Sequence, residues 1–67
     1  MATIPVSAAE RVIRHSGATR VSKDAAEALA TILEARGSQI AAKAIRFAQH
    51  AGRKTITAED VRLASTD

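Results

Sequence analysis

Residues 52–60 read Gly-Arg-Lys-Thr-Ile-Thr-Ala-Glu-Asp, and this stretch predicts the end of one helix and the beginning of the next. Gly52 suits the left-handed conformation that commonly ends a helix. Thr57, followed three residues later by Asp60, approximates a capping box and predicts a new helix. Between these two signals lie two cations, a hydroxyl and a β-branched isoleucine, which is typical of a short extended connector.

The same plan occurs 35 residues earlier, where residues 17–22 read Gly-Ala-Thr-Arg-Val-Ser. This segment also runs from a glycine, through a cation and a β-branched residue, to a hydroxyl residue that can cap a helix. We call residues 17–22 the first connector and residues 52–57 the second connector. The repeated plan predicts an all-α fold in which a short helix, a long helix and another short helix are joined by two basic connectors.

Length and composition limit the candidate functions. A chain of 67 residues forms at most one domain, so we expect a single domain over residues 1–67. There is no cysteine, which excludes disulfides and thiolate zinc sites. No apolar run approaches the ~20 residues that a bilayer-spanning helix needs, and no signal peptide is evident. We therefore expect a cytoplasmic protein that has no membrane partner.

Positive charge is modest in sum but unevenly distributed. The formal net charge is +3, which favours an anionic partner. Residues 36–57 contain no acid at all, although five cations lie there, and the first 23 residues carry four cations against Glu10 alone. Phe47 is the only aromatic residue, so a stacking platform for single-stranded nucleic acid is not expected.

Capping signals set the expected helix boundaries. Ser7 with Glu10 predicts a capping box that begins the first helix, which should end before Gly17 after about ten residues. Ser22 should cap the second helix, whose pattern continues without proline to Ala51. The third helix should run from residue 58 to about residue 65, which is barely two turns.

The second helix is too long for a single small globule. About 29 residues span roughly 43 Å, whereas a compact chain of this size has a radius of gyration of about 11 Å. Gly37 either breaks this helix or lets another helix cross closely, and the lack of a nearby proline or loop cluster favours the crossing. Two short helices cannot cover so long a rod, so we expect an intertwined dimer that crosses near Gly37.

The apolar faces of the second helix change along its length. Four large aliphatic side chains fall within an arc of about 100° and predict a core stripe; they are Leu29, Ile32, Leu33 and Ile40. Near the end of the helix, Ile45 lies about 160° round from Phe47, whereas His50 lies close to Phe47. This end is therefore apolar on two sides, and one of them is expected to meet something outside the folded unit.

The chain resembles an archaeal histone, a minimal histone fold without tails. The matching segments are residues 4–5, 11–14, 17–22, 48–56 and 58–60. The resemblance implies a handshake homodimer in which the two long helices cross antiparallel and each first connector pairs with the partner's second connector. It also implies that such dimers wrap double-stranded DNA without reading its sequence and assemble into tetramers or longer arrays on the chromosome. The resemblance also suggests a related histone as a further partner, with which the chain would form a heterodimer.

The resemblance also implies roles for individual residues. Arg20 would enter the minor groove, as arginines do in the nucleosome, and Lys54 and Thr55 would hold phosphates. The complete set of implied DNA-binding residues is Arg11, Arg14, Arg20, Ser22, Arg53, Lys54 and Thr55. The implied dimer–dimer interface is Phe47, His50, Asp60 and Leu63. Arg53 and Asp60 would form a buried ion pair, and Gly17 would let successive DNA turns approach each other. Arg36 departs from the family pattern, since many relatives carry a larger apolar residue near the crossing.

Each implied role has a plainer structural alternative. Arg20 could be a solvated charge, and the hydroxyl of Thr55 could satisfy local backbone. Arg11 and Arg14 lie three residues apart and could form an ordinary polar helix face. Phe47 could belong to the core.

His50 also has a plainer alternative, whereas Lys43, Arg46 and His15 are assigned no site. His50 could be a plain surface histidine. Lys43 and Arg46 are expected on a solvated face. His15 and His50 are the only imidazoles and are 35 residues apart, so no metal site is expected.

No enzyme is expected either. The chain has no cysteine nucleophile and no glycine-rich phosphate loop, and the capping roles account for its hydroxyl residues at helix starts. No cofactor is expected. In the alternative function, the chain is a histone-fold component of a heteromeric regulatory complex and has little DNA affinity of its own. The basic connectors argue against this alternative.

Overall fold

The computed structural model describes residues 4–66, which form three α-helices and no strand. The helices are α1 (Val6–His15), α2 (Lys23–His50) and α3 (Ala58–Ala64). The predicted all-α order of short, long and short helices is thereby confirmed. Residues 1–3 and residue 67 of the expected domain lie outside the described residues. The chain divides into two compact units between Ala35 and Arg36.

The predicted capping box at the start of α1 is wrong. The helix begins at Val6, so Ser7 lies inside its first turn, and no side chain caps it. Pro5 occupies the N-cap position with φ −60° and ψ 136°, and its carbonyl accepts two backbone N–H groups at 3.1 and 3.3 Å. Because the proline ring fixes φ near this value, the chain turns into the helix two residues before the hydroxyl of Ser7 could act as a cap.

Both connectors begin with a glycine in the predicted conformation. Gly17 has φ 119° and Gly52 has φ 75°. The N–H of Gly52 donates to the carbonyl of Gln49 at 3.0 Å, and the N–H of Arg53 donates to that of Ala48 at 2.9 Å. The equivalent bonds after α1 measure 3.0 and 3.5 Å. This is the Schellman pattern, which pairs carbonyls that a helix end otherwise leaves unsatisfied.

The start of α2 is as predicted. The Oγ atom of Ser22 accepts the backbone N–H of Ala25 at 3.0 Å, so Ser22 is the side-chain cap. The helix runs for 28 residues and passes through Gly37 without a break. It ends at His50, one residue before the predicted end.

The capping box of α3 is also confirmed. The N–H of Asp60 donates to Oγ1 of Thr57 at 3.3 Å, and the N–H of Thr57 donates to Oδ2 of Asp60 at 2.9 Å. The helix ends at Ala64, after seven residues.

The described chain buries little large apolar surface for its composition. Its buried apolar residues are all alanines, namely Ala9, Ala26, Ala30, Ala44, Ala48 and Ala64. In the predicted core stripe, Leu29, Leu33 and Ile40 are half-buried, but Ile32 is 62% exposed, so the stripe is only partly a core. Other large apolar residues left exposed are Val6, Val12, Ile45, Ile56, Val61 and Leu63. One chain of this size cannot cover them.

Candidate nucleic-acid interface

The first connector presents one cation to solvent. Arg20 is exposed, and no other residue of the described chain forms a hydrogen bond or ion pair with its side chain. The carbonyl of Thr19, one residue earlier, accepts a hydrogen bond from Nη1 of Arg14 at 3.3 Å. The hydroxyl oxygen of Ser22 accepts a bond as the cap of α2, and its O–H group and the backbone amides at this helix start are the donors that an anion could meet.

The two arginines of α1 differ in their environments. Arg11 is exposed, and nothing within residues 4–66 pairs with its side chain. Arg14 instead donates to Oε2 of Glu10 from both Nε and Nη2, at 3.1 and 2.7 Å. The two side chains are half exposed, at 50% for Arg14 and 39% for Glu10. Of this implied pair of DNA contacts, therefore, only Arg11 is unengaged.

The second connector is built around a bidentate ion pair. The Nη1 and Nη2 atoms of Arg53 donate to Oδ2 and Oδ1 of Asp60 at 2.9 and 3.0 Å. Nη1 also donates to the carbonyl of Thr55 at 3.2 Å. Asp60 is buried, with 6% of its side chain exposed, whereas the side chain of Arg53 is 41% exposed, so the pair is half-buried rather than buried.

Hydrogen bonding stabilises the charged form of both partners. The bond from Arg53, followed by the backbone N–H of Thr57, holds the pKa of Asp60 well below its usual range. The bond to Asp60 raises the pKa of Arg53 above its already high value. The pair therefore stays ionised at neutral pH.

This pairing separates the roles of the three implied DNA contacts in the second connector. The guanidinium of Arg53 is directed at Asp60 and the connector backbone, so it orders the connector. Lys54 and Thr55 follow it and are exposed, and no described residue engages the ammonium group of Lys54. Lys54 is thus the available cation here, as Arg20 is in the first connector.

Two grooves lie on the second unit. The larger, of about 550 Å³, is lined by Arg46, Phe47, His50, Arg53, Glu59, Asp60 and Leu63. It brings together all four residues of the implied dimer–dimer interface. Phe47 is half-buried, whereas His50 is exposed and Leu63 is 54% exposed.

Sequence reasoning missed two residues of the larger groove. It placed Arg46 on a solvated face and assigned Glu59 no site. The spacing of four between Arg46 and His50 could have placed them on one helix face. No spacing pattern indicated Glu59, because the capping box at the start of the third helix was already explained by its neighbour Asp60.

The smaller groove, of about 380 Å³, lies beside the second connector. Its lining residues are Ile45, Ala48, Gln49, Arg53, Lys54 and Ile56. Ile45 and Ile56 are 43% and 40% exposed. Since Ile45 lines this groove and Phe47 lines the other, the predicted two-sided apolar character of this helix end is present.

The sequence also singles out Lys43, Gly17 and His15. Lys43 is half-buried, and its Nζ atom donates to the carbonyl of Thr66 at 3.5 Å, so it is less solvated than predicted. Its long stem can cover apolar surface while the ammonium reaches a polar group. Gly17 is exposed, and a Cβ built there would meet nothing within 4 Å. His15 is exposed.

Two kinds of site are not found in residues 4–66. None of their helices combines the length and apolar character needed to cross a membrane. No three histidine, cysteine or acidic side chains of this part of the chain gather as metal ligands would.

Comparison with known proteins identifies relatives over almost the whole chain. A component of the archaeal histone HAN1 of Thermococcus zilligii is 56% identical over 64 residues, which is 96% of each chain. "Probable archaeal histone 3" of Methanocaldococcus jannaschii is 42% identical over 64 residues, again 96% of each chain. The family model described as histone-like transcription factor (CBF/NF-Y) and archaeal histone matches residues 2–64. This family supports a DNA-binding histone-fold protein, which is the coarser part of the function expected from the sequence. The chain belongs to this family and has the histone fold.

Proposed function

We propose that this chain is an architectural protein that binds double-stranded DNA without sequence specificity, wraps it and compacts it. The observation that carries the proposal is the unpaired cation on each connector, Arg20 on the first and Lys54 on the second, within a chain of this family. Arg20 is exposed and lines neither of the two grooves, whereas Lys54 is one of the six residues that line the smaller groove. Affinity arises mainly from phosphate neutralisation and counterion release, which carries no sequence information.

In this proposal the implied contacts divide by function. Arg20 enters the minor groove, and Lys54 and Thr55 hold phosphates. Arg11 and Arg14 contact the backbone at the centre of the dimer, and the amides near Ser22 face a phosphate. Arg53 acts through the shape of the connector, since its guanidinium is bound to Asp60 and to the connector backbone.

The functional unit is a homodimer in which the long helices cross. Support comes from the isolated chain, whose buried apolar residues within 4–66 are alanines while Ile32 and Ile45 remain 62% and 43% exposed. An exposed aliphatic surface of this kind along a 28-residue helix favours burial against a second copy. The family model spans residues 2–64, which supports treating both compact units as one histone-fold domain over residues 1–67.

Dimers join through the larger groove into tetramers or longer arrays. Phe47 and Leu63 supply apolar surface there, and His50 supplies an exposed imidazole. Oδ2 of Asp60 already accepts two bonds, from Arg53 and Thr57, whereas Oδ1 accepts one. Because a carboxylate oxygen can accept about two hydrogen bonds, Oδ1 retains capacity for an imidazole N–H of a neighbouring dimer.

Gly17 serves the assembly of successive DNA turns. It is exposed and has no described atom within 4 Å of a built Cβ, so this corner of the chain is small and open. Such a site admits a second protein surface when wrapped turns stack. The protein would accordingly be associated with the chromosome in the cytoplasm.

A second candidate is a chain that pairs with a different histone. It is supported by the name of the relative from Thermococcus zilligii, which describes that protein as one lettered component of a histone rather than as the whole. In the extreme form of this candidate, the chain belongs to a regulatory complex and binds little DNA itself. Sizing of the purified chain discriminates, since a chain that dimerises alone contradicts any requirement for another polypeptide.

The main test compares Arg20→Ala with Arg62→Ala on two unrelated duplexes of equal length. Both changes remove one exposed cation, but only Arg20 is assigned a DNA contact. We expect Arg20→Ala to weaken binding to both duplexes by similar factors and to reduce the salt dependence, while Arg62→Ala has a small effect. A loss confined to one duplex contradicts non-specific binding. Nuclease digestion of reconstituted complexes then reports assembly, since a ladder of protected lengths indicates arrays and one short fragment indicates isolated dimers or tetramers.

A further inference from the structure

Arg14 is held by three hydrogen bonds within its own unit. Its Nε and Nη2 atoms share Oε2 of Glu10 at 3.1 and 2.7 Å, and its Nη1 atom donates to the carbonyl of Thr19 at 3.3 Å. A guanidinium has five N–H donors, so two remain for any other acceptor. Arg14 therefore differs from Arg11, Arg20 and Lys54, whose side chains have no partner within residues 4–66.

The carboxylate of Glu10, 2.7 Å from Nη2 of Arg14, competes directly with a DNA phosphate for this guanidinium. Glu10 neutralises the charge of Arg14 and also places a negative charge on the surface that approaches DNA. The ion pair is half exposed, so water screens it and a phosphate can exchange with the carboxylate. After such an exchange, however, Glu10 remains beside the phosphate as an unpaired anion, which offsets much of the gain.

The contact with Thr19 gives Arg14 a second function. It links the last turn of α1 to the residue before Arg20, so the guanidinium helps to fix the first connector. This bond does not involve Glu10. Removing only the negative charge of Glu10 therefore leaves Arg14 oriented by the connector while making its own charge available.

We propose that Glu10 attenuates DNA binding by α1, holding Arg14 in an internal ion pair that limits its contact with phosphate. This inference rests on the proposed DNA-binding function and assigns that function a residue that tunes its strength. Glu10 is a positioning residue for Arg14 and does not itself contact DNA. Its effect is electrostatic and is the same for every DNA sequence.

The test replaces the carboxylate by the isosteric amide in Glu10→Gln. The matched control is Glu27→Gln, which makes the same charge change at an exposed acid of α2 whose side chain has no partner in the described chain. Binding of the full chain to a mixed-sequence duplex is measured between about 50 and 200 mM salt, the range over which counterion release is steep.

We expect Glu10→Gln to bind more tightly than Glu27→Gln and to have the steeper salt dependence. If one further phosphate is neutralised per chain, the slope of the logarithm of the binding constant against the logarithm of salt concentration steepens by up to about 0.9. This corresponds to a gain in binding constant of up to about eightfold per contact at 0.1 M salt. In an Arg14→Ala background the effect of Glu10→Gln should shrink to that of the control. Such a double-mutant cycle isolates the coupling between the two side chains.

Two results would overturn the assignment of Glu10. One is an equal gain from both glutamine variants, which indicates only long-range charge. The other is a gain from Glu10→Gln that persists without Arg14. If the unmodified chain shows no salt-dependent DNA binding, the proposed function fails together with the inference. If the unmodified chain binds DNA and the two glutamine variants bind it with equal affinity, the inference alone fails.

Discussion

Replacing Ile32 by alanine is the sharpest test of pairing between the long helices. Ile32 is 62% exposed in the single chain, so little of its burial free energy is realised there. Full burial of such a side chain contributes about 1.5–3 kcal/mol, and the fraction buried in the single chain therefore amounts to about 1 kcal/mol at most. If a second copy covers Ile32, the substitution removes packed atoms and leaves a cavity, at a cost of about 2–5 kcal/mol.

The dimer contains this residue twice. We therefore expect Ile32→Ala to lower the free energy of unfolding by about 4–10 kcal/mol per dimer, which is comparable with the whole stability of a small protein, about 5–15 kcal/mol. The matched control is Thr31→Ala on the same turn of α2. Thr31 is exposed and its hydroxyl bonds only to the carbonyl of Glu27 within the helix, so a change within about 0.5 kcal/mol is expected.

Urea unfolding at several protein concentrations measures the free energy of unfolding of both variants. When unfolding is coupled to dissociation, the midpoint rises with protein concentration by mass action. We expect this dependence in the unmodified chain and a lower midpoint for Ile32→Ala at every concentration. A cost near 1 kcal/mol per chain, together with a midpoint that does not depend on concentration, would refute the argument from exposed apolar surface.

The connectors supply three further predictions. Gly52→Ala should lower the free energy of unfolding by about 1–2 kcal/mol per chain, because a residue with a side chain is strained at a positive φ. The added Cβ itself would meet no atom within 4 Å. Thermal or urea unfolding measures the loss, and unchanged stability would exclude the positive φ. Because the pKa of Asp60 is lowered in the folded chain, its contribution is present above the ordinary value of 3.8 and is lost as the pH falls below it. Asp60→Asn should therefore flatten the acid limb of a stability–pH profile, and an equally steep limb would contradict the ion pair. Lys54→Ala should lower the salt slope of DNA binding by about 0.9 for each phosphate lost, whereas Arg62→Ala should leave the slope unchanged.

The sequence predicted best those features that depend on neighbours in the chain. Gly52 and the Thr57–Asp60 box act through local hydrogen bonds, backbone to backbone at Gly52 and side chain to backbone in the box, between residues at most five apart, so residue type alone indicates them. Ser7 shows the limit of this approach. Its box with Glu10 matched the pattern, but Pro5 fixed the backbone two positions before Ser7 and began the helix earlier.

Side-chain pairing was less predictable than helix boundaries. Arg14 and Glu10 are four residues apart and could have been paired from spacing alone, yet the additional bond to Thr19 depends on how the connector folds back after Gly17. The exposure of Ile32 could not be predicted from its helical face either. A hydrophobic stripe indicates which residues need to be covered, but whether the same chain covers them depends on the length of its other helices.

Helix capping and presentation of charge are physically coupled in the second connector. Asp60 accepts the N–H of Thr57 to begin α3 and the two terminal nitrogens of Arg53, and Arg53 in turn binds the carbonyl of Thr55. These bonds restrict the backbone on both sides of Lys54 before any DNA arrives. A ligand group held on an ordered backbone loses less conformational entropy on binding than one on a flexible loop. In the proposed function, Arg53 therefore orders the connector while Lys54 contacts DNA, so we expect these two adjacent cations not to be interchangeable.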